Sequence, residues 1–411
     1  MTNHISNPWK KDFPIFHQKS RGKPLVFLDS AASAQKPQCV LDKTILCYAT
    51  EYANVHRAVY ELSEQLSTEF EAAREKVANF IGAKSSQEIV FTKGTTESIN
   101  LVAHGIGKVL LQAGDNIVIS CMEHHSNLVP WQVICGEKSA ELRVARINEK
   151  GELDLEHYAS LLDLRTKIVA MAHVSNVLGT INPVEKIVAL AHEKNIPVLF
   201  DGAQAIPHLS ISVEKLDCDF YVFSGHKLYG PTGVGVMYGK REWLKKLPPY
   251  QTGGGMIHSV EFSGSTYAGI PAKFEAGTPP IVEAVGLATA IEYLEDIGCD
   301  TFMSYQEGLS QYFYEKLLEI PELHLLAHPE KKVGVFSFTI KNMHAYDVGL
   351  LLDADGIAVR TGHHCTMPLH HHLGIDSSIR ASLGLYNDYA DVDICVDTLK
   401  KTISRFHGDS K

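Results

Sequence analysis

The sequence predicts an α/β protein, with a mostly parallel seven-stranded sheet in a large domain and a smaller α+β domain after it. Three observations carry this. Short β-branched runs alternate with helical patterns from about residue 65 to 240, the pattern of a parallel sheet with crossover helices. The run IPVLF is apolar without interruption, as a strand covered on both faces requires. After about residue 281 the alternation gives way to two long helical patterns followed by strands and further helices.

The seven strand candidates are Glu88–Thr92, Asn116–Cys121, Glu141–Ile147, Lys167–His173, Ile196–Asp201, Asp219–Phe223 and Val234–Tyr238. Helical patterns between and around them include Leu66–Ile81, Glu97–Leu111 and Val184–Glu193. Residues 250–280 are rich in Gly and Pro (QTGGGMIHS, EAGTPP). They carry no long period and read as ordered loops joining two domains. Then come helices at Ile281–Gly298 and Asp300–Glu319, a strand in VGVFSFTI, a helix at Ala345–Asp353, strands in GIAVR and IRASLGL, and a last helix near Asp391–Phe406.

Composition narrows the function classes. The chain has 411 residues, 45% hydrophobic and 21% charged, enough to bury a full core and unlike a disordered chain or a disulfide scaffold. With 38 Lys+Arg against 48 Asp+Glu, the formal charge is -10. A net-acidic chain is a poor non-specific binder of nucleic acid or an anionic membrane. No apolar run approaches the about 18 residues of a membrane span. The start, MTNHISNPWKKDFPIF, lacks the apolar stretch of an export signal. The eight cysteines include no C-x-x-C pair. Scattered thiols of this kind fit a reducing cytoplasm.

Ligands in open α/β sheets bind at the carboxyl ends of strands, and four such ends are chemically loaded. DFYVFSGHKLYGPTGVGVMYG delivers Ser224, His226 and Lys227. A lysine there is a candidate Schiff-base amine, although a lone lysine is more often a solvated loop residue. VLFDGAQ places Asp201 and Gln204 after a strand. Asp201 could pair with a protonated pyridine nitrogen or simply cap a helix. ISCMEHHSN offers His124, a flat imidazole able to stack and to move protons. TKGTTESIN puts Thr95 and Thr96 at a turn before a helix, where free N–H groups and hydroxyls hold a phosphate. Each alone is weak, but together they supply the parts of one cofactor site.

The resemblance to a known family rests on motifs spread in order along nearly the whole chain. They are YANVHR (52–57), TKGTTESIN (92–100), EHHSN (123–127), HVSNVLGT (173–180) and FDGAQ (200–204). They continue with FSGHKLYGPTGVG (223–235), FEAGTPP (274–280), RTGHHCTMPL (360–369) and RASLGLYND (380–388). The sequence resembles the class V aminotransferase family of pyridoxal-phosphate enzymes, fold type I, and within it the SufS-type (group II) cysteine desulfurases. The resemblance implies pyridoxal 5'-phosphate carried on Lys227, with Asp201 on the pyridine nitrogen, Gln204 on the ring oxygen and His124 on the ring face. It implies that Thr95, Thr96, Ser224 and His226 hold the phosphate, and that Thr278 from a partner subunit completes the site of a homodimer. Asn176 and Arg380 would fix the substrate carboxylate, Cys365 would be the catalytic cysteine, and Arg360 would open its loop. The implied domains are a large cofactor-binding domain at 30–297 and a small domain built from 1–29 and 298–411. The implied reaction converts L-cysteine to L-alanine, leaving sulfur on Cys365 as a persulfide. A SufE- or SufU-like acceptor would then take it for iron–sulfur cluster assembly.

The residue types suit that chemistry on their own terms. A guanidinium is the planar, bidentate partner of a carboxylate, so Arg380 and Arg360 suit an amino-acid substrate. Flanking imidazoles and Arg360 would favour the Cys365 thiolate, the nucleophilic form. Otherwise Cys365 is a buried structural thiol. Histidines 363, 364 and 370–372 crowd near it, but their spacing is irregular and solvation or packing accounts for them better than a metal. Two departures from the family pattern stand out. GGGMIHS has no acidic residue between GGG and MI, and Thr366 stands where a small Ala is usual. A selenocysteine lyase or cysteine-sulfinate desulfinase would use the same lysine and arginine. A catalytically silent scaffold of the same fold would have no need of Lys227, Asp201, His124 and Arg380 together.

Overall fold

The computed structural model describes residues 7–56 and 58–408. Residues 1–6 and 409–411 of the expected small domain, and Arg57 of the YANVHR motif, lie outside the described residues. The chain opens with a small hairpin, β1 (Lys19–Ser20) and β2 (Lys23–Pro24), and a short strand β3 (Val26–Phe27). The main sheet follows: β4 (Ile89–Thr92), β5 (Asn116–Ser120), β6 (Glu141–Ala145), β7 (Thr166–Ala172), β8 (Val198–Asp201), β9 (Phe220–Ser224) and β10 (Gly235–Gly239). Its spatial order is β4-β10-β9-β8-β7-β5-β6. β10 runs antiparallel to both neighbours, and the remaining pairs are parallel. All seven strands match the sequence expectation to within two residues.

Side chains alternate between the two faces of this sheet. Val198, Phe200, Tyr221, Phe223, Val169 and Met171 join one buried cluster. Leu199, Phe220, Val222, Ile168 and Ala170 join another on the opposite face. Burial on both sides explains the unbroken apolar runs. Because the strands other than β10 share a direction, the carboxyl ends of β4, β5, β7, β8 and β9 open at one edge. Helix Ile281–Ile297 packs against helices Gln38–Leu46 and Glu61–Phe80. Ten of its seventeen residues are buried, so it is apolar on nearly all sides.

Residues 250–280 correct the loop expectation. They contain an antiparallel hairpin, β11 (Ile257–Glu261) and β12 (Gly264–Tyr267), whose residues are almost all exposed. Neither face covers a core, so no apolar alternation marks it in the sequence. A further correction concerns GIAVR, which reads as one strand and is two.

The second sheet has the order β13-β14-β17-β16, from β13 (Leu323–Leu325), β14 (Val335–Ile340), β16 (Arg360–Gly362) and β17 (Ser378–Ser382). β15 (Ile357–Ala358) pairs instead with β3, in parallel. The core beneath includes Val26, Leu28, Phe313, Phe336, Ile379 and Leu399. Described segments from the early and the late parts of the sequence therefore build this unit together. Asn7 Nδ2 donates to Leu385 O (2.6 Å) and Asn387 O (2.8 Å), and Asp29 bridges to Ser382.

Candidate active site

Five strand ends of the main sheet and one turn of the second unit meet around a cavity of about 180 Å³. At the end of β4, the chain turns through Gly94 into helix Thr95–Val109. Thr95 N–H and Thr95 Oγ1 bond Ser224 Oγ at 2.9 and 2.7 Å. Thr96 Oγ1 bonds Ser126 Oγ at 2.6 Å. The first N–H groups of a helix have no intrahelical acceptors, and with these hydroxyls the helix start could hold an anion. The close approach depends on Gly235, where a Cβ would lie 2.6 Å from Gly94 N and closer still to its Cα.

His124 follows β5. Its Nδ1 accepts from Ser126 N–H at 3.1 Å, so a neutral ring carries its proton on Nε2. Burial, then the nearby Lys227 amine, pushes His124 down to about 3. Glu123 beside it is buried, accepting from Asn127 Nδ2 (2.6 Å), Ala172 N (3.0 Å) and Ser120 Oγ. Burial raises it to about 7, against those hydrogen bonds. It ties the end of β5 to the end of β7.

Asp201 ends β8. Its Oδ1 accepts from Ala203 N–H at 2.9 Å, and burial raises its pKa while Lys227 opposes the rise. Gln204 Nε2 donates to Ala31 O at 2.7 Å. After β9 a single 3-10 turn, Gly225–Lys227, delivers His226 and Lys227. His226 Nδ1 lies 3.2 Å from Ser33 Oγ, and burial lowers it to about 4. Burial lowers Lys227 to about 8, with Asp201 opposing and Arg380 adding to the fall. At that value about a tenth of the amine is neutral at pH 7, far more than for an ordinary lysine at about 10.4, and the neutral form is the nucleophile.

Asn176, after β7, links the two halves. Its Nδ2 donates to His364 O at 2.8 Å, and its carbonyl accepts from Arg380 Nη1 at 3.2 Å. Arg380 also pairs with Asp29 through Nη2 (3.0 Å). It is 2% exposed, and its Nε is buried without a partner. Arg360 sits opposite on β16. His364 and Cys365 occupy the left-handed region with φ of 51° and 60°. Such strain costs about 1–3 kcal/mol per residue and persists where surroundings hold it. His364 Nε2 and His370 Nε2 each reach Ser378 Oγ at 3.0 Å. Thr366 Oγ1 donates to His363 O at 2.8 Å. Among the described residues, no group of three or more His, Cys, Asp or Glu is placed to hold a metal.

The cavity thus brings together Thr95, Thr96, His124, Asn176, Asp201, Gln204, Ser224, His226, Lys227, Arg360, Cys365 and Arg380. Thr278 is not among them. It lines a separate cleft with Asn54, His56, Arg74 and Glu275. Sequence reasoning missed Asp29, the Ala31 carbonyl, Ser33 and Ser126. Ser126 was within reach, since it stands two residues past His124 in EHHSN. The others lie on an N-terminal stretch of small residues with no period to mark it.

The lining fits a phosphorylated pyridine aldehyde. Hydroxyls and a helix start stand at one end, a lysine amine and a buried carboxylate lie further in, and a neutral imidazole flanks them. The Arg380 guanidinium, which lines the cavity, could serve an acidic substrate there.

Comparison with known proteins agrees with this arrangement. The class-V aminotransferase family model matches residues 26–395. A cysteine desulfurase of Salmonella agona is 49% identical over 393 residues, 95% of this chain and 97% of that protein. The crystal structure of an Escherichia coli cysteine desulfurase superposes with a TM-score of 0.90 at 37% identity, covering 97% of this chain and 99% of that one. A cysteine desulfurase of Thermococcus onnurineus gives 0.91 at 36% identity, with the same coverage. Among the described residues, no helix is long and apolar enough to cross a membrane. The chain belongs to the class-V aminotransferase family and to the cysteine desulfurases within it.

Proposed function

We propose that this site binds pyridoxal 5'-phosphate on Lys227, takes L-cysteine, and passes its sulfur to Cys365, releasing L-alanine. The observation that supports this best is one cavity lined by a lysine amine, a thiol and two guanidinium groups. Thr95, Thr96, Ser224 and His226 would hold the phosphate, Asp201 the pyridine nitrogen, Gln204 the ring oxygen and His124 the ring face. When bound, the cofactor supplies the electron sink that makes the Cα proton removable and the Cβ–Sγ bond breakable.

The chain's own residues do the rest. Arg380, Arg360 and Asn176 grip the substrate carboxylate and fix the Cα–H direction. Lys227, with a pKa of about 8, is basic enough to take the Cα proton and acidic enough to return it. His124 holds a proton on Nε2, ready for the substrate side. The Cys365 thiolate attacks substrate Sγ. An S–S bond forms, the Cβ–Sγ bond breaks with its electron pair kept by the carbon fragment, and protonation of that fragment gives alanine. The persulfide then leaves to the thiol of a SufE- or SufU-like acceptor serving iron–sulfur assembly in the cytoplasm. Thr278, outside the cavity of its own chain, would reach the phosphate of a second copy in a homodimer.

The test is to incubate cofactor-loaded protein with L-cysteine, quantify alanine, and read the mass of the Cys365 peptide. One added sulfur atom on Cys365, with alanine formation lost in Cys365→Ala, supports the reading. Alanine formed at the wild-type rate by Cys365→Ala overturns the role of Cys365.

A further inference from the structure

The Cys365 turn belongs to the second unit but is fastened to the main sheet. One residue makes two of the fastenings. His125 N–H donates to Cys365 O at 2.8 Å, and His125 Nε2 accepts from Met367 N–H at 3.1 Å. Met367 is the first residue of helix Met367–His372. Its N–H is one of the helix-start donors that have no acceptor within the helix. The imidazole supplies that acceptor across a sequence distance of 242 residues.

We propose that His125 is a positioning residue for sulfur capture: its main-chain N–H and its Nε2 clamp the chain on either side of the Cys365 thiol and hold Sγ at the cavity. The proposal rests on Cys365 being the sulfur acceptor. Three features make the clamp consequential. His364 and Cys365 are both left-handed, so the turn relaxes elsewhere unless it is held. Asn176 holds the His364 carbonyl from the main-sheet side, upstream of the thiol; downstream, Thr366 bonds back to His363 O within the turn itself, and His125 adds the tie from the main sheet. Burial, with His363 nearby, lowers the His125 pKa and favours the neutral ring, whose Nε2 accepts from Met367 N–H with the ring proton on Nδ1. His125 touches none of the atoms that react, so its effect runs through the placement of Sγ.

Four holoenzyme variants test this: His125→Leu, His125→Gln, Met367→Pro, and the double variant His125→Leu with Met367→Pro. His125→Leu removes the acceptor and should lower kcat for alanine by about 10- to 100-fold, the scale of a misplaced reacting group. KM for L-cysteine should stay within about two-fold, because carboxylate binding is untouched. His125→Gln keeps an acceptor at similar reach and should recover most of the rate. Met367→Pro deletes the donor at a helix position that tolerates proline and should reproduce the loss. The double variant should be no worse than either single one, as for one shared contact. Wild-type kcat in His125→Leu, a Gln variant as slow as Leu, or additive losses in the double variant would each overturn the clamp. Should His125→Leu fail to fold, Met367→Pro and His125→Gln decide the matter. Cys365→Ala, assayed in parallel, separates the two claims. Undiminished alanine there refutes Cys365 as acceptor, whereas a dead Cys365→Ala beside a fully active His125→Leu refutes only the clamp.

Discussion

Arg360 and Arg380 are direct Cα partners across the antiparallel strands β16 and β17, and both line the same cavity. Two guanidinium groups on one face of a sheet repel each other. Arg380 is moreover buried, and burial lowers its pKa, with Asp29 countering and Arg360 adding to the fall. One aspartate beside two cations leaves a site short of negative charge, which an amino-acid carboxylate supplies.

The first prediction follows from that pair. Arg380→Lys keeps a charge but loses the planar fork. Its kcat/KM for L-cysteine should fall by about 10- to 100-fold, corresponding to about 1.5–3 kcal/mol for a charged hydrogen bond. Arg360→Lys should lose less, because Arg360 is more exposed. The visible band of bound cofactor should survive in both variants. An unchanged kcat/KM in Arg380→Lys would remove it from substrate binding.

The second concerns the Lys227 amine, lowered to about 8 chiefly by burial. Only the neutral amine attacks an aldehyde. Uptake of pyridoxal phosphate by cofactor-free protein should therefore quicken as pH rises from about 6.5, reach half its maximum near about pH 8 and level off above about 9, rather than rising to the about 10.4 of a free lysine. Stopped-flow absorbance across that range checks it. A rate still climbing at about pH 10 would show that Lys227 is not held down.

A third prediction is acid instability. Burial leads the lowering of His124 to about 3, His173 to about 4, His226 to about 4 and His364 to about 2. Below about pH 6.5 the unfolded chain binds protons that the folded one refuses, so stability rises with pH there and is lost as pH falls toward about 4. His173 and His364 are 5% and 4% exposed, and each should contribute about 1.4 kcal/mol per pH unit over that window. Glu123, raised to about 7, works the other way between about 7 and 4.5, as do the raised Asp201, Asp391 and His192, but the lowered imidazoles, which also include His104, His125, His208 and His370, outnumber them. Urea midpoints of cofactor-free protein should be clearly lower at about pH 5 than at about pH 7. Equal midpoints would mean these imidazoles gain protons without unfolding.

The fourth is steric. Gly235→Ala would drive a Cβ into the Gly94 backbone, which cannot step aside as a flexible side chain could. Overpacking of this kind costs about 1–3 kcal/mol, and the displaced segment is the Thr95–Thr96 turn. Cofactor affinity should fall more than thermal stability does. Dialysis retention of the chromophore against Tm measures the two together. Loss of Tm with full retention would separate this glycine from the anion-holding turn.

The main sheet was legible in the sequence because its strands are covered on both faces, and unbroken runs such as IPVLF follow directly from that. Strand ends then pointed to Lys227, Asp201, His124 and Thr96, since chemistry in such sheets gathers there. The β11–β12 hairpin was not legible. Strands with both faces in water keep no apolar period, and Gly and Pro dominated the reading. Nor were Asp29 and Ser33, which matter through partners 351 and 193 residues away. Such pairings leave no local pattern. GIAVR misled because its two halves pair with different sheets, a difference that lies in the partners and not in the segment itself.

The Asp29–Arg380 pair has a consequence for how the protein is made. Every residue from Thr95 to Lys227 leaves the ribosome well before Arg360, Cys365 and Arg380, and domains fold as units from the N-terminal side during synthesis. The first segment, with Asn7, Val26 and Asp29, must wait for partners translated last. A nascent chain that has emerged only past β10 can close the sheet that carries Lys227 while it still lacks the residues that, under the proposed function, would grip an amino acid and receive its sulfur.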